Sequence, residues 1–577
     1  MLDYHEIESY LIKRGYVACT QKYDGKSSLV VLHQIGTKQV KLVHFHITQF
    51  ESIPIFVLDD SSDYGQLAHV LSVPEKDYAC ICVSDTDSLS INYEQPHLAI
   101  EASLEKHIGI LTKAIEDPDW NNKELLREFQ ANWSAICAND QDGLVLAAEE
   151  GSSETITIYN PLSSSRYGLD SRFLGVTESS KKLNKYAYIN STQLLSERKK
   201  SGAIGYVLSV PFLPLPPTSR DNIKEWFLEL TNTLDDKAAQ DLKEQAGSYR
   251  SSKFWLVING PTPSGTAWFG ISLKNSVKKA LPLTSEKLES WTLEPCNVLL
   301  FNPALLMPRS GANLHLTDKR VLLVGCGSVG SEIADKIASA GVGELYLLDY
   351  DVFEFENIYR NSLHISFVGI NKAQALKYQV GTKYPWLNIE CIVGELLDKN
   401  ITQKTFLQSF DLIVIAIGSP THERLFHDFL IKNQVQSAVI NTWVEGYGVG
   451  GHAVLDIHGS KGCLRCAYID NETETNGLSS NLNFLEDDQS LTVNHAGCGQ
   501  LYLPYSGVNS AQTAIMATDL AVRYLRGNIS ESSKISWKGD SIDALQKGFE
   551  LTHRYYNFDQ SLKTLPLLNA SCDLCRD

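Results

Sequence analysis

The chain has 577 residues, with 51 Lys+Arg against 68 Asp+Glu and a formal net charge of −17. That acidity excludes a chain-wide nucleic-acid binder, which needs cationic surface to displace counterions from phosphates. At roughly 100–200 residues per domain the length implies about three to five folding units, and 43% hydrophobic with 21% charged residues excludes disorder, collagen and coiled coil for the whole.

No run of about 18 uncharged apolar residues occurs, and Met1-Leu2-Asp3-Tyr4-His5-Glu6 is acidic where a secretory signal is basic and then apolar. A soluble, cytoplasmic protein without membrane contact is expected. Residues 1–145 read as an α+β unit: a helical pattern at Ile7, Tyr10 and Leu11, then apolar runs at 28–33, 40–47 and 54–58 that suit a meander of strands. A further strand is expected at 89–93 and a long helix at 98–115. Residues 146–300, broken by Asn160-Pro161, a proline-rich stretch at 211–217 and Gly260-Pro261, read as an α/β linking domain with a polar helical segment at 222–244. Residues 301–577 alternate strand and helix: strands at 321–324, 344–348 and 412–417 and a helix at 332–340 predict a Rossmann-like parallel sheet with crossover helices.

Chemistry is densest in that last stretch. Gly325-Cys326-Gly327-Ser328-Val329-Gly330 is a G-x-G-x-x-G between a strand and a helix. Its glycines permit a tight turn and close approach to phosphates, and the helix N-terminus favours an anion. The next strand ends in Leu348-Asp349-Tyr350-Asp351, followed by Asn357, Arg360 and Lys372. A dinucleotide site needs the ribose acid alone and has no use for the Asn, Arg and Lys. With them the segment resembles the ThiF/MoeB and ubiquitin-activating superfamily, which adenylates a protein's C-terminal carboxylate with ATP. The resemblance implies that Asp349 binds the ribose, that Arg360 and Lys372 contact ATP phosphates, and that Asn357 orders the site. It also implies Mg2+, but Ser419 stands where many relatives carry the Asp that holds it, which leaves Asp351 as a substitute ligand. Arg309, ahead of the nucleotide strand, is a further phosphate contact of looser spacing.

The 12 cysteines of a cytosolic protein are core residues, metal ligands or nucleophiles rather than disulfides. Cys463-Leu464-Arg465-Cys466 and Cys572-Asp573-Leu574-Cys575 are two C-x-x-C pairs, the donor set of a tetrahedral four-cysteine zinc site. Cys498, in Asn494-His495-Ala496-Gly497-Cys498-Gly499 ahead of an apolar helix at 511–525, has the flanking glycines of an accessible nucleophile, with His495 or the helix dipole to activate it. Cys80 and Cys82 read as a strand with one cysteine on each face, Cys80 turned to the core. Cys326 has no assigned role.

The strand meander, His69, Ile81-Cys82 and Gln95-Pro96-His97 before a helix resemble the ubiquitin-conjugating fold, though the Pro and Asn expected after the upstream His are missing. There an Ile/Leu-Cys carries a thioester, which implies Cys82, with His69 as an oxyanion helper. In the activating superfamily the thioester cysteine stands where Cys498 does, and the late C-x-x-C pair clips the C-terminal tail to the core. The whole order (1–145 conjugating-like, 146–300 linking, 301–577 adenylating) resembles the CD-NTase-associated protein 2 family of type II CBASS anti-phage operons. That resemblance implies ATP, Mg2+ and Zn2+ as cofactors and a carrier partner with a flexible C-terminus, a cGAS-like nucleotidyltransferase (CD-NTase). It further implies an amine acceptor, no direct nucleic-acid contact, and a homodimer through the adenylation domain. The alternatives are a sulfur-carrier adenylyltransferase of the thiamine or molybdopterin type with an unrelated N-terminal fusion, and a non-catalytic Rossmann-type binding module.

Overall fold

The computed structural model describes the chain except for residues 1–3, 46–53, 74–75, 84–93, 138–142, 149–152, 162–171, 183–197, 471, 495–500 and 576–577. The strand expected at 89–93 lies outside the described residues. The chain forms two units, Met1–Asn184 with Leu194–Asn302, and Lys185–Gln193 with Pro303–Asp577.

In the first unit the helix Tyr4–Lys13 buries Tyr4, Ile7 and Leu11 at helical spacing. The strands Val17–Tyr23, Lys26–Ile35 and Lys38–Phe45 follow as an antiparallel meander. Asp24 and Gly25 both take positive φ (48° and 75°) between the paired residues Tyr23 and Lys26, the backbone of a two-residue hairpin turn. The sheet ends in Val57–Leu58, Ala79–Ile81 and Val70–Ser72. The expected long helix runs Pro96–Glu116 and buries Ile100, Leu104 and Leu111 against the sheet's core cluster.

Two further helices, Pro118–Arg127 and Phe129–Ile136, lead to a closed barrel between Leu144 and Leu300, with seven strands among the described residues. Phe129 and Trp133 join Trp226 and Phe269 on the barrel's outer face, with the Trp133 and Phe269 rings 4.5 Å apart. The stretch expected as a linking α/β domain is thus a barrel flanked by helices. Its helical segment is two helices, Ile223–Asn232 and Asp236–Ser248, because the Asp235 side chain caps the second by accepting from the Ala238 amide.

The second unit carries the expected parallel sheet. Asn388–Ile392, Glu344–Leu348, Arg320–Val324, Leu412–Ile415 and Ala438–Val444 are parallel neighbours in that order. Gly450–Asp456, Ser533–Lys538 and Leu565–Pro566 extend the sheet antiparallel. The chain leaves Arg320–Val324 towards one edge and returns to its other side at Leu412–Ile415. The crevice at the C-terminal ends of these two strands is therefore a topological switch point, where open α/β sheets bind ligands. Among the described residues no helix is long and apolar enough to cross a membrane.

Candidate nucleotide and thioester sites

The switch-point crevice opens into a cavity of about 600 Å³ lined by Gly327, Ser328, Asn357, Arg360, Lys372 and Glu423 among others. Two of the three glycines are sterically required. Gly325 has φ +90° and a Cβ there lies 2.7 Å from the Ala416 carbonyl oxygen, while a Cβ on Gly330 lies 1.8 Å from the Gly325 oxygen. Gly327, the N-cap of the helix Ser328–Ala340, has nothing within 4 Å of its Cβ position. Its bareness keeps the helix N-terminus open to an anion.

Asp349 shapes this loop. Its Oδ2 accepts from the Cys326 amide at 2.6 Å and its Oδ1 from the Asp351 amide at 2.8 Å. Cys326 is fully buried, and burial pushes its thiol well above the usual range, so it is an inert core residue. Asn361, which the motif reading passed over, donates from Nδ2 to the Cys326 carbonyl at 3.0 Å and is itself buried.

Arg360 Nη1 donates to the Leu503 carbonyl at 3.2 Å, and the guanidinium lies 5.0 Å from the centre of the Tyr505 ring. The Tyr505 hydroxyl meets Ser328 Oγ at 2.7 Å. Residues immediately beyond the Cys498 segment are thereby tied to the glycine loop and to Arg360. Cys498 and His495 themselves lie outside the described residues; Val493–Asn494 and Leu501–Tyr502 on either side pair as antiparallel strands. Lys372 opens the helix Lys372–Lys383, is 7% exposed and forms an ion pair with Asp351. Asn357 Oδ1 accepts from the Glu354 amide at 3.1 Å in a reciprocal cap that fixes the turn ahead of Arg360. Ser419 caps the next crossover helix, Pro420–Lys432, and its hydroxyl meets His422 Nδ1 at 2.7 Å.

Glu423 carried no sequence signal. It is 2% exposed and accepts from the Ser419 amide and Asn441 Nδ2 at 3.2 Å each. Burial raises its pKa from 4.5 to about 7. An acid raised on folding stabilises the fold fully below its unfolded pKa, and that contribution is lost as pH climbs towards the folded value. Glu423→Gln is therefore expected to melt higher than the parent at pH 8, by up to about 3 kcal/mol, with the gap closing near pH 4.5; calorimetry across that range checks it.

The four cysteines of the C-x-x-C pairs converge although more than a hundred residues separate one pair from the other. Their sulfurs all lie within 4.8 Å of one another, with Cys463–Cys575 at 3.5 Å, Cys466–Cys575 at 3.7 Å and Cys463–Cys572 at 3.9 Å. A tetrahedral zinc with about 2.3 Å Zn–S bonds asks for roughly 3.8 Å between sulfurs, so this cluster can hold a metal ion. The amide of Cys466 donates to Cys463 at 2.9 Å and that of Cys575 to Cys572 at 3.3 Å, two equivalent turns. Arg465 joins them by ion pairs of 2.8 Å to Asp428 and to Asp573. Arg309 ends the helix Pro303–Arg309 and is absent from the cavity lining.

In the first unit, Cys80 and Cys82 are both exposed, whereas Ala79 and Ile81 are buried. This corrects the expectation of opposite faces with Cys80 in the core: strand side chains alternate with period two, so residues two apart share a face. The Cys82 amide donates to the His69 carbonyl at 2.8 Å. His69 has φ +62°, and its ring turns to the following helices, with Nδ1 2.6 Å from Glu128 and Nε2 3.7 Å from Glu124. The hydrogen bond to Glu128 raises the imidazole's pKa.

Residues 304–552 match the ThiF family model. The "ATP-dependent ubiquitin transferase-like protein Cap2" of Pseudomonas aeruginosa is 24% identical over 60% of this chain and 62% of that protein. The protein of the same name from Escherichia coli is 22% identical over 76% of this chain and 77% of its own length. The chain thus spans about three fifths of the P. aeruginosa relative. The "Adenylyltransferase and sulfurtransferase UBA4" of Eremothecium gossypii is 32% identical over 27% of this chain and 34% of that protein. Among solved structures, E. coli MccB with MccA-N7isoASN aligns over 48% of this chain and 70% of that one, at 16% identity and a TM-score of 0.33. Residues 304–552 are accordingly a ThiF-family domain.

Proposed function

We propose that the chain is an ATP-dependent protein-conjugating enzyme. Its adenylation domain, 301–577, activates the C-terminal carboxylate of a partner protein and forms a thioester on Cys498. The conjugating-like domain, 1–145, receives the acyl group on Cys82 and ligates it to an amine, with 146–300 as the connector. The observation that carries the reading is the convergence of Arg360, Lys372 and the open helix N-terminus at Gly327 on one cavity.

A carboxylate oxygen of the carrier attacks the α-phosphorus, the bond to the β-phosphate oxygen breaks and pyrophosphate leaves. Two anions meet and charge builds on the leaving group, so Arg360, Lys372 and the helix N-terminus supply the opposing charge. Asp349, just past its strand and outside the cavity lining, is proposed for the ribose on the family resemblance, and the Asn357 cap orders the turn that presents Arg360. Mg2+ would supply further shielding of the phosphates when bound. The Cys498 thiolate attacks the acyl carbon and AMP departs. The Cys82 thiolate then displaces that of Cys498, an exchange of equals that needs no ATP. Attack by an amine forms the amide, frees the Cys82 thiolate and releases a proton.

The resemblance to the CBASS fusion family supports a CD-NTase with a flexible C-terminus as the carrier, and anti-phage defence as the setting. Zinc is the ion proposed for the four cysteines. A homodimer through the adenylation domain is supported by apolar side chains left in water: Phe355 is 68%, Tyr359 95% and Val508 74% exposed. A monomer in sedimentation would remove that part of the reading.

The test is a non-reducing gel with ATP and a CD-NTase as the proposed carrier. Cys498→Ala is expected to lose the reducible adduct while retaining pyrophosphate exchange. Cys82→Ala is expected to keep the adduct and lose the amide product. Unchanged amide formation in either variant removes that cysteine from the pathway, and a sulfurated carrier in place of an amide favours the sulfur-carrier alternative.

A further inference from the structure

Two buried carboxylates stand in the cavity wall, Glu423 and Glu445, and they are engaged very differently. Glu445 Oε1 accepts from the Phe484 amide at 2.7 Å and from His452 Nε2 at 2.7 Å, and its Oε2 accepts from the amides of Phe484 and Leu485 at 2.9 Å each. A carboxylate offers about four lone-pair sites, so Glu445 is spent on holding the segment at 484–485. Glu423 meets backbone amides at Ser419 (3.2 Å) and Gly418 and the Asn441 amide group (3.2 Å), all of them neutral donors. Among the described residues no cation pairs with it.

Its place in the fold gives this a direction. Glu423 stands in the first turn of Pro420–Lys432 and reaches back to Ser419, so its carboxyl lies at the end of the loop that follows Leu412–Ile415. That loop forms the crevice wall facing the glycine loop, and Glu423 lines the same cavity as Arg360 and Lys372. A bound nucleoside triphosphate brings more negative charge than these cations neutralise, and a divalent ion that travels with it takes carboxylate oxygen as ligand. Asp351, the substitute expected from the sequence, is less suited. It is ion-paired to Lys372, its Oδ1 accepts from the Val352 amide at 2.9 Å, and it is absent from the cavity lining.

Resting on the adenylating reading of this cavity, we propose that Glu423 is the protein carboxylate that takes the divalent cation of a bound metal–nucleotide complex, with the Asn441 amide fixing the carboxyl plane. The carboxylate comes from within the crossover helix, one turn past Ser419.

The test measures affinity of the full chain for α,β-methylene-ATP with and without Mn2+, by calorimetry, alongside the electron paramagnetic resonance of bound Mn2+. In the parent protein Mn2+ is expected to tighten nucleotide binding. In Glu423→Gln that metal advantage is expected to shrink roughly tenfold or more, with metal-free affinity retained or improved because a negative charge has left the wall. Glu423→Asp is expected to fall between them, and the retained metal-free affinity certifies that the variants fold. An undiminished metal advantage in Glu423→Gln overturns the proposal alone. Failure of the parent to bind nucleotide under any condition overturns the adenylating reading and this proposal together.

Discussion

Lys372→Ala is expected to lower carrier-dependent ATP–pyrophosphate exchange roughly 10²–10³-fold, the effect of removing one preorganised charge partner from a developing anion. Three observations set that expectation. Lys372 is 7% exposed, lines the cavity, and is already oriented by Asp351, whose own side chain is 53% exposed. Loss of the lysine leaves Asp351 able to rehydrate, so stability should change by less than about 1 kcal/mol, and a melting curve separates the two effects. Lys372→Arg is expected to rescue little, because a planar guanidinium does not replace a compact ammonium in a fixed cradle. Exchange within threefold of the parent in Lys372→Ala would make the residue a structural partner of Asp351 only.

The second large effect is in the cysteine cluster. Cys463→Ser is expected to abolish binding of the proposed zinc and to lower the melting temperature of the C-terminal unit by on the order of 10 °C, since several kcal/mol of metal-coupled folding energy are lost. The cluster joins the segment at 463–468 to the tail at 572–575, where Cys463, Cys466 and Cys572 are all at most 8% exposed. Without a cation four sulfurs at these spacings repel whenever more than one ionises, so the tail loses its closure and the ion pairs of Arg465 to Asp428 and Asp573 are left to hold it. Chelation of the parent protein should reproduce the variant's melting curve. One zinc per chain retained in Cys463→Ser, with unchanged melting, would contradict this assignment.

The parts of the molecule legible in the sequence are those where the constraint is local. The glycine loop is one: a Cβ on Gly330 lands 1.8 Å from the Gly325 oxygen, so the spacing records a collision within six residues. The alternation of buried strands and helices in the ThiF-family domain is another. What stayed hidden depends on distant partners. Asn361 acts by donating to Cys326, 35 positions earlier. Glu423 looks like the acidic face of an amphipathic helix until Asn441 and the cavity wall cover it. The barrel escaped because short strands such as Leu144–Ala147 find their partners far along the chain, in Thr292–Leu300 and Phe173–Thr177. The misplacement of Cys80 had a different source, since the two-residue period already puts Cys80 and Cys82 on one face.

The reaction proposed for the cavity is activation of a protein's C-terminal carboxylate. Exchange of labelled pyrophosphate into ATP, driven by a CD-NTase as the proposed carrier with a free C-terminus and again with that terminus amidated, tests it most directly. Exchange is expected with the free carboxylate and none with the amide. Equal exchange with both, or exchange without any carrier, would contradict it.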